Sequence, residues 1–364
     1  MLINLFLLTI SNLFILIFFA MIFFFLVYYK SMKKVLISGA GGFIGGYLAS
    51  HFLKNDEVEL ICADIKPKEF WFQLHEDSIN YSFDLKDYEN SLKATENVDY
   101  IFNLACNMGG MGFIENNKAE CMLSVLVNTN LLRAAKENNC KKFFFSSSAC
   151  VYNASKQKQT FVKGLKETDA YPADPEDGYG WEKLFSERMC RHFTEDFGID
   201  TRVARYHNIY GPLGTFDGGR EKAPAALCRK IAQAKISGDK EIDVWGDGEQ
   251  TRSFLFIDDC INGTLKLFNS NESTVLNIGS EEQVSINEMI GMIEEIAGYK
   301  VKKNYQLDKP KGVRGRSSDN TLVTQKINWQ PEFDLKQGLK KTYDWIEQQI
   351  KDNKNISKFT NKSI

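Results

Sequence analysis

Two short runs carry the residues best suited to chemistry. The first is Phe143-Phe-Phe-Ser-Ser-Ser-Ala-Cys-Val-Tyr152, in which three phenylalanines end abruptly in three hydroxyls and a thiol. A buried strand of a parallel sheet presents reactive groups at its carboxyl end in this way. The second run is Tyr179-Gly-Trp-Glu-Lys183. On a helix, Tyr179 and Lys183, four residues apart, share one face. An ammonium beside a phenol favours the phenolate, so the spacing predicts a Tyr179 acidity moved from its reference of about 10 towards working pH. A tyrosine so placed can take a proton from a hydroxyl. In isolation such a pair is more often two exposed helix residues, and it is the upstream sequence that argues for chemistry.

That upstream sequence begins with Val35 to Ser38, an apolar run leading into Gly39-Ala-Gly-Gly42-Phe43-Ile44-Gly45 and then a helical pattern through Leu48, Phe52 and Leu53. Strand, glycine turn and helix are what a pyrophosphate site needs: close backbone approach, free N–H groups and the positive end of a helix. The glycines stand at 39, 42 and 45, one residue off the commoner dinucleotide spacing. Asp64 ends the next apolar run, Glu59 to Ala63, where a carboxylate accepts bonds from both ribose hydroxyls and repels a 2′-phosphate. NAD is favoured over NADP on that ground, and Lys66 weakens the preference slightly. A third strand, Tyr81 to Leu85, carries Asp84 towards the adenine edge. A fourth, Tyr100 to Ala105, runs into the loop Met108-Gly109-Gly-Met-Gly-Phe113, and a helix from about Ala119 to Asn138 leads to Phe143. Alternating strand and helix argue for an α/β fold with a doubly wound parallel sheet, a Rossmann domain over residues 33–205.

Residues 206–349 read as a smaller C-terminal α/β region for substrate. Thr201 to Arg205 is a strand and the loop Tyr206 to Pro212 carries Asn208. Arg220, Lys222, Arg229 and Lys230 cluster behind Gly218-Gly219. Glu241 to Trp245 is a strand that turns at Gly246-Asp-Gly248 into Gln250, Thr251 and Arg252. Asp258-Asp259 signals a helix N-cap, and Ser285-Ile-Asn-Glu288 a capping box. Arg314 and Arg316 fall in a loop, where paired guanidinium groups suit a pyrophosphate. Leu335 to Ile350 is an amphipathic helix, and residues 351–364, rich in Lys, Asn and Ser, read as a disordered tail.

Composition narrows the class of function. The chain has 364 residues, 43% hydrophobic, enough for a substantial core. A formal net charge of −2, from 45 basic and 47 acidic residues, gives no global field for nucleic acid, so an anionic ligand needs a local site. Eight scattered cysteines without a Cys-x-x-Cys pair or His partners indicate reduced thiols and no metal site. Met1 to Tyr29 carries no charge and is long enough to cross a bilayer, and Lys30, Lys33 and Lys34 follow it. Two readings stand for residues 1–31: a membrane anchor that leaves the body cytoplasmic, or an over-long reading frame ahead of Met32.

Together these runs resemble the extended short-chain dehydrogenase/reductases, the NAD-dependent epimerase/dehydratase family, that act on nucleotide sugars. Within it Met108 to Ile114, Ser147 to Cys150, Tyr206 to Pro212, Gly218 to Ala226, Trp245 to Ser253 and Gly312 to Arg316 resemble the GDP-mannose 3,5-epimerase family. The resemblance spans about Lys33 to Gln349. It implies an NAD-dependent isomerase, a homodimer, that takes GDP-D-mannose to GDP-L-galactose, with GDP-L-gulose as a side product. Tyr179, Lys183 and Ser148 would serve transient oxidation at C4. Cys150 and Lys222 would be base and acid for inversion at C3 and C5, although a cysteine is more often a small buried hydrophobe. Gly39, Gly42, Phe43, Ile44, Gly45, Asp64 and Asp84, with Tyr179 and Lys183, would hold the cofactor. Asn208, Lys230, Gln250, Arg252 and Arg316 would hold the diphosphate and nucleoside, and Gly109, Ala149, Glu221 and Ala223 the sugar. The alternatives are a nucleotide-sugar 4-epimerase or 4,6-dehydratase, or a non-catalytic NAD-binding regulator.

Overall fold

Strand residues of the central sheet alternate between two apolar faces. Val35, Ile37, Phe102 and Phe144 enter one core, while Leu36, Ile101, Phe143 and Phe145 enter the other. A period of two with both faces buried demands helices on each side. The computed structural model describes residues 32–352 and 356–360. Its strands are β1 (Lys33–Ser38), β2 (Val58–Asp64), β3 (Ile79–Ser82), β4 (Tyr100–Asn103), β5 (Lys142–Ser148), β6 (Asp200–Tyr206) and β7 (Ile209–Tyr210). There follow β8 (Glu241–Trp245), β9 (Thr251–Ser253), β10 (Leu255–Phe256), β11 (Leu276–Ile278), β12 (Gln283–Ser285), β13 (Lys302–Gln306) and β14 (Gly315–Arg316). The helices are α1 (Phe43–Phe52), α2 (Tyr88–Ala94), α3 (Met111–Asn116), α4 (Lys118–Met122), α5 (Val125–Glu137) and α6 (Asp177–Phe197). The later ones are α7 (Ala223–Ser237), α8 (Ile257–Asn269), α9 (Ile286–Ala297), α10 (Thr321–Ile327) and α11 (Leu335–Asp352).

Seven parallel strands form the main sheet in the order β11-β6-β5-β4-β1-β2-β3. The order reverses between β1 and β4, and at such a switch the carboxyl ends of the strands open a crevice. The fold is therefore the doubly wound sheet expected from the sequence. Because β11 pairs with β6, residues beyond 205 return to this sheet, and the second region is built from what remains: β8 with β13, β9 between β12 and β14, and helices α7, α9 and α11.

Four local expectations change. The helix over 119–138 is two helices, α4 and α5, because Ser124 between them turns its hydroxyl to accept the Asn107 N–H at 2.8 Å. β3 ends at Ser82, so Asp84 lies in the turn after the strand. The carboxylate of Asp259 accepts from the N–H groups of Glu332 and Phe333 at 2.9 and 3.0 Å, clamping a later loop instead of capping α8. Within the expected tail α11 continues to Asp352, and Ile356–Phe359 forms a single 3-10 turn whose Phe359 is buried against Phe72, Phe216 and Trp345. Low hydrophobicity over that stretch concealed one aromatic anchor. The expected N-terminal anchor lies outside the described residues. Among the described residues no helix is long and apolar enough to cross a membrane.

Candidate active site

A cavity of about 960 Å³ opens at the carboxyl ends of β1, β2, β4 and β5 and extends under the loops of the second region. Of the site residues expected from the sequence, Lys183 alone does not line it; the rest all do.

Backbone geometry shapes the dinucleotide end. Gly39 has φ +76, a conformation that side chains disfavour, and a Cβ on Gly45 would lie 2.2 Å from the Gly39 carbonyl oxygen. The turn therefore presses against the start of α1 and leaves a cradle that Cβ atoms would fill. Asp64 at the end of β2 is 7% exposed, and burial pushes its carboxyl up, opposed by Lys66. A ribose hydroxyl would satisfy this desolvated acid, and a phosphate there would meet it as a like charge. Lys66 is occupied: its Nζ donates to the Gly41 carbonyl at 2.6 Å and stands 4.1 Å from the Phe72 ring centre. Asp84 lines the same end and accepts the Lys86 N–H at 2.8 Å. Cradle and acid together fit a dinucleotide without a 2′-phosphate.

Tyr179 is positioned by close contact of α6 with the turn after β5. A Cβ on Gly180 would come within 2.3 Å of the Cys150 carbonyl oxygen, so glycine lets the helix reach that turn. Behind it Glu187 accepts from Arg205 at 2.7 and 2.9 Å and from the Ser147 hydroxyl at 2.5 Å, fastening α6 to β5 and β6. Ser148 lines the same cavity as Tyr179 and accepts the Cys150 N–H at 3.2 Å.

The acidity expected for Tyr179 is not what the site produces. Burial pushes the phenol well up, half-buried Cys106 and buried Cys150 and Glu182 add to the effect, and Ser148 opposes it. Lys183, 1% exposed, has Glu182 Oε2 at 3.6 Å and stands 5.6 Å from the Tyr179 ring centre. Its pKa is raised: burial works against the ammonium, but Cys106 and Glu182 outweigh it. The ammonium thus divides its charge among neighbours of the phenol.

Cys150 also differs from expectation. Burial pushes its thiol up, Glu176 adds to this, and Arg316 opposes it. The cation in contact with the sulfur is Arg316, whose Nη1 lies 3.6 Å away. Lys222 feels Cys150 only as a neighbouring charge, and burial pushes its ammonium down, the state of an amine that gives up a proton readily. Arg316 also donates to Gln157 at 2.5 Å and Glu176 at 2.7 Å, and Arg314 donates to both Asp247 oxygens at 2.8 Å. Neither arginine is free to form the expected pair. Arg252 is the better anion receptor. It donates only to the carbonyls of Thr251 and Lys311, forms no salt bridge among the described residues, and burial pushes it down to about 10. Beside it Gln250 donates to the Trp245 carbonyl at 2.9 Å while its buried Oε1 has no partner among the described residues.

The remaining expected residues form the loops over the cavity. Gly110 N–H donates to the Arg220 carbonyl at 3.0 Å, and Arg220 Nη1 donates to Asn107 at 2.9 Å, knitting the Met108 loop to the Gly218 loop. Glu221 accepts the Gly219 N–H at 2.7 Å, Lys230 donates to the Asp243 carbonyl at 2.6 Å, and Asn208 donates to the Ser253 carbonyl at 2.9 Å. Sequence reasoning missed Cys106, which lines the cavity, and Glu176, which holds Arg316. Cys106 could have been found by its place after β4, at the same sheet end as Ser148; Glu176 had no signal, since only the fold brings it to Arg316.

Comparison with known proteins now has a geometry to explain. Residues 35–279 match the NAD dependent epimerase/dehydratase family. The chain belongs to that family. It is 48% identical over 332 residues to GDP-mannose 3,5-epimerase 1 of Oryza sativa subsp. indica, covering 90% of this chain and 85% of the relative. It is 48% identical over 325 residues to the GDP-mannose 3,5-epimerase of Arabidopsis thaliana, covering 88% and 84%. Among solved structures it is similar to the UDP-glucuronic acid 4-epimerase from Bacillus cereus in complex with UDP-glucuronic acid and NAD. That likeness has a TM-score of 0.73 at 28% identity and covers 87% of this chain and 99% of the other. The dinucleotide cradle of this family member is thus an NAD site.

Proposed function

We propose that this protein is an NAD-dependent isomerase that converts GDP-D-mannose to GDP-L-galactose by inversion at C3 and C5. The observation that carries this reading is that Cys150, Lys222, Tyr179 and Ser148 line one cavity with Arg252 at its wall; the similarity to the rice and Arabidopsis enzymes supports the choice of sugar nucleotide.

NAD in the cradle supplies a hydride acceptor for C4 and a cationic ring that favours the ionised phenol. Tyr179 Oη takes the C4 hydroxyl proton, and Ser148 Oγ orients that hydroxyl. The ketone at C4 acidifies the C–H bonds at C3 and C5. Cys150 first passes its thiol proton to the Lys222 amine; the thiolate Sγ then removes the proton from one carbon and Lys222 Nζ delivers its proton to the opposite face, which restores thiol and amine, and the same transfer readies the pair for the second carbon. Tyr179 returns its proton when C4 is reduced, so there is no net redox change. Lys183 keeps the phenol's surroundings positive, Arg252 with Lys230 and Asn208 holds the diphosphate and nucleoside while Arg316, fixed on Glu176, borders them beside Cys150, and Gly109 with Glu221 to Ala223 holds the sugar.

We place the homodimer contact on the face where α4 and α5 pack beside α6. Trp181 and Phe185, one turn apart on α6, are 47% and 56% exposed, and Met122 and Leu126 nearby are 47% and 41% exposed. Light scattering across a dilution series tests it. The catalytic body is assigned to the cytoplasmic side of any anchor in residues 1–29, which alkaline extraction of membranes tests. Product NMR with GDP-D-mannose tests the activity: GDP-L-galactose, with some GDP-L-gulose, is expected. A C4 epimer or a 4-keto-6-deoxy sugar would instead indicate the neighbouring enzymes, and no turnover with NAD bound would indicate a non-catalytic protein.

A further inference from the structure

Cys150 closes a ring of contacts with two residues distant from it in the fold's assembly. The N–H of Glu176, the residue ahead of α6, donates to the Cys150 carbonyl at 2.8 Å. The Glu176 carboxylate accepts from Arg316 Nη2 at 2.7 Å, and Arg316 Nη1 returns to the Cys150 sulfur at 3.6 Å. Gln157 accepts from the Arg316 Nε at 2.5 Å, so every nitrogen of that guanidinium has a partner. The side chains of Glu176 and Arg316 are only 12% and 4% exposed, where salt screens the pair little. Arg252, the other buried guanidinium of the cavity, donates only to two carbonyls and stays open to an anion. No step of the reaction yet uses Glu176.

We propose that Glu176 is a positioning residue that reserves Arg316 for the sulfur of Cys150 and leaves the diphosphate to Arg252. The inference rests on Cys150 being the base at C3 and C5. A carboxylate so placed acts on the thiol in two opposed ways: its charge disfavours the thiolate, while its hold on the arginine favours it. The surrounding charges agree. Burial pushes Cys150 up, Glu176 adds to this, and Arg316 opposes both. Burial works against the Glu176 carboxyl too, but Arg316, and after it Arg252, keep it below the usual carboxylate range. Arg316 in turn is raised against burial by Glu176 first and Cys150 second. The other groups facing the sulfur are Tyr179 from α6, Cys121 from α4 and Cys106 after β4, which pack around it. Lys222 ahead of α7 and Arg252 on β9 add their charges across the cavity. Of the cations among these, Arg316 alone has a hydrogen bond to the sulfur, and Glu176 is the acid that fixes its direction.

The test reads the pH midpoint for alkylation of Cys150 by iodoacetamide in the NAD-loaded protein, by mass spectrometry. Glu176→Asp keeps the charge but is one methylene too short to hold the arginine, and its midpoint rises by about half a unit or more. Glu176→Gln keeps the reach and drops the charge, and its midpoint falls below wild type. Arg316→Gln raises the midpoint by itself, and adding Glu176→Asp to it gives no further rise, as expected of a residue that acts through another. In turnover Glu176→Asp lowers kcat about tenfold while KM for GDP-mannose stays within about twofold. The glutamine variant preserves size, so a folding defect in the aspartate protein does not obscure the result. An aspartate midpoint equal to wild type, shifts of the same sign in the two variants, or a further rise in the Arg316→Gln background overturns the proposal. A wild-type protein inert towards GDP-mannose defeats the proposed activity instead, and the midpoints still decide the hold on Arg316.

Discussion

The two walls of the cavity are built by different means. On the dinucleotide side the shape comes from backbone: a parallel register, a turn with Gly39 at φ +76, and strand ends that set down Asp64 and Ser148. On the sugar side it comes from charged side chains held by partners, Arg314 on Asp247, Arg316 on Glu176, Arg220 on Asn107 and Lys230 on the Asp243 carbonyl. A wall made by backbone admits few substitutions. A wall made by side chains can be altered one residue at a time, which lets a single sheet serve different acids and bases.

The comparison implies a graded set of losses. Tyr179→Phe, at the junction of the walls, removes the proton acceptor from a site otherwise shaped by backbone. A kcat loss of about 10³-fold is expected with bound NAD unchanged, measured by turnover and cofactor content; retained turnover would detach α6 from the chemistry. Cys150→Ala acts on the sugar wall only. Exchange at C5 falls by about 10²-fold or more while slow oxidation at C4 persists, and NMR of the recovered sugar nucleotide checks both. Arg252→Gln leaves a receptor without its charge. KM rises about tenfold or more with kcat little changed, and an equal fall in kcat would make Arg252 part of the chemistry. The smallest effect belongs to Phe359→Ala, outside both walls. Losing its contacts with Phe72, Phe216 and Trp345 costs about 1 kcal/mol, seen as a modest fall in Tm and faster cleavage of the tail.

The same contrast explains what was legible. Glycine spacing, the acid after β2, the hydroxyl run after β5 and the Tyr179–Lys183 spacing each follow from local backbone rules, so the sheet and its cradle could be read from residues alone. The partners of Arg314 and Arg316 could not. Asp247 is 67 residues from Arg314 and Glu176 is 140 from Arg316, so the pairing exists only once the fold is made. The acidity of Tyr179 failed for a related reason: helical spacing shows that Lys183 is near, but not that Glu182 and Cys106 claim its charge. Phe359 was hidden by its polar surroundings, where composition averages away a single buried ring.

Deuterium uptake tests the central claim most directly. Incubation of the NAD-loaded protein with GDP-mannose in D₂O, followed by NMR of the recovered substrate, should show label at both C3 and C5, and about a hundredth of it or less at either carbon with Cys150→Ala. Recovered GDP-mannose unlabelled at both carbons, from a protein that oxidises C4, would contradict the account.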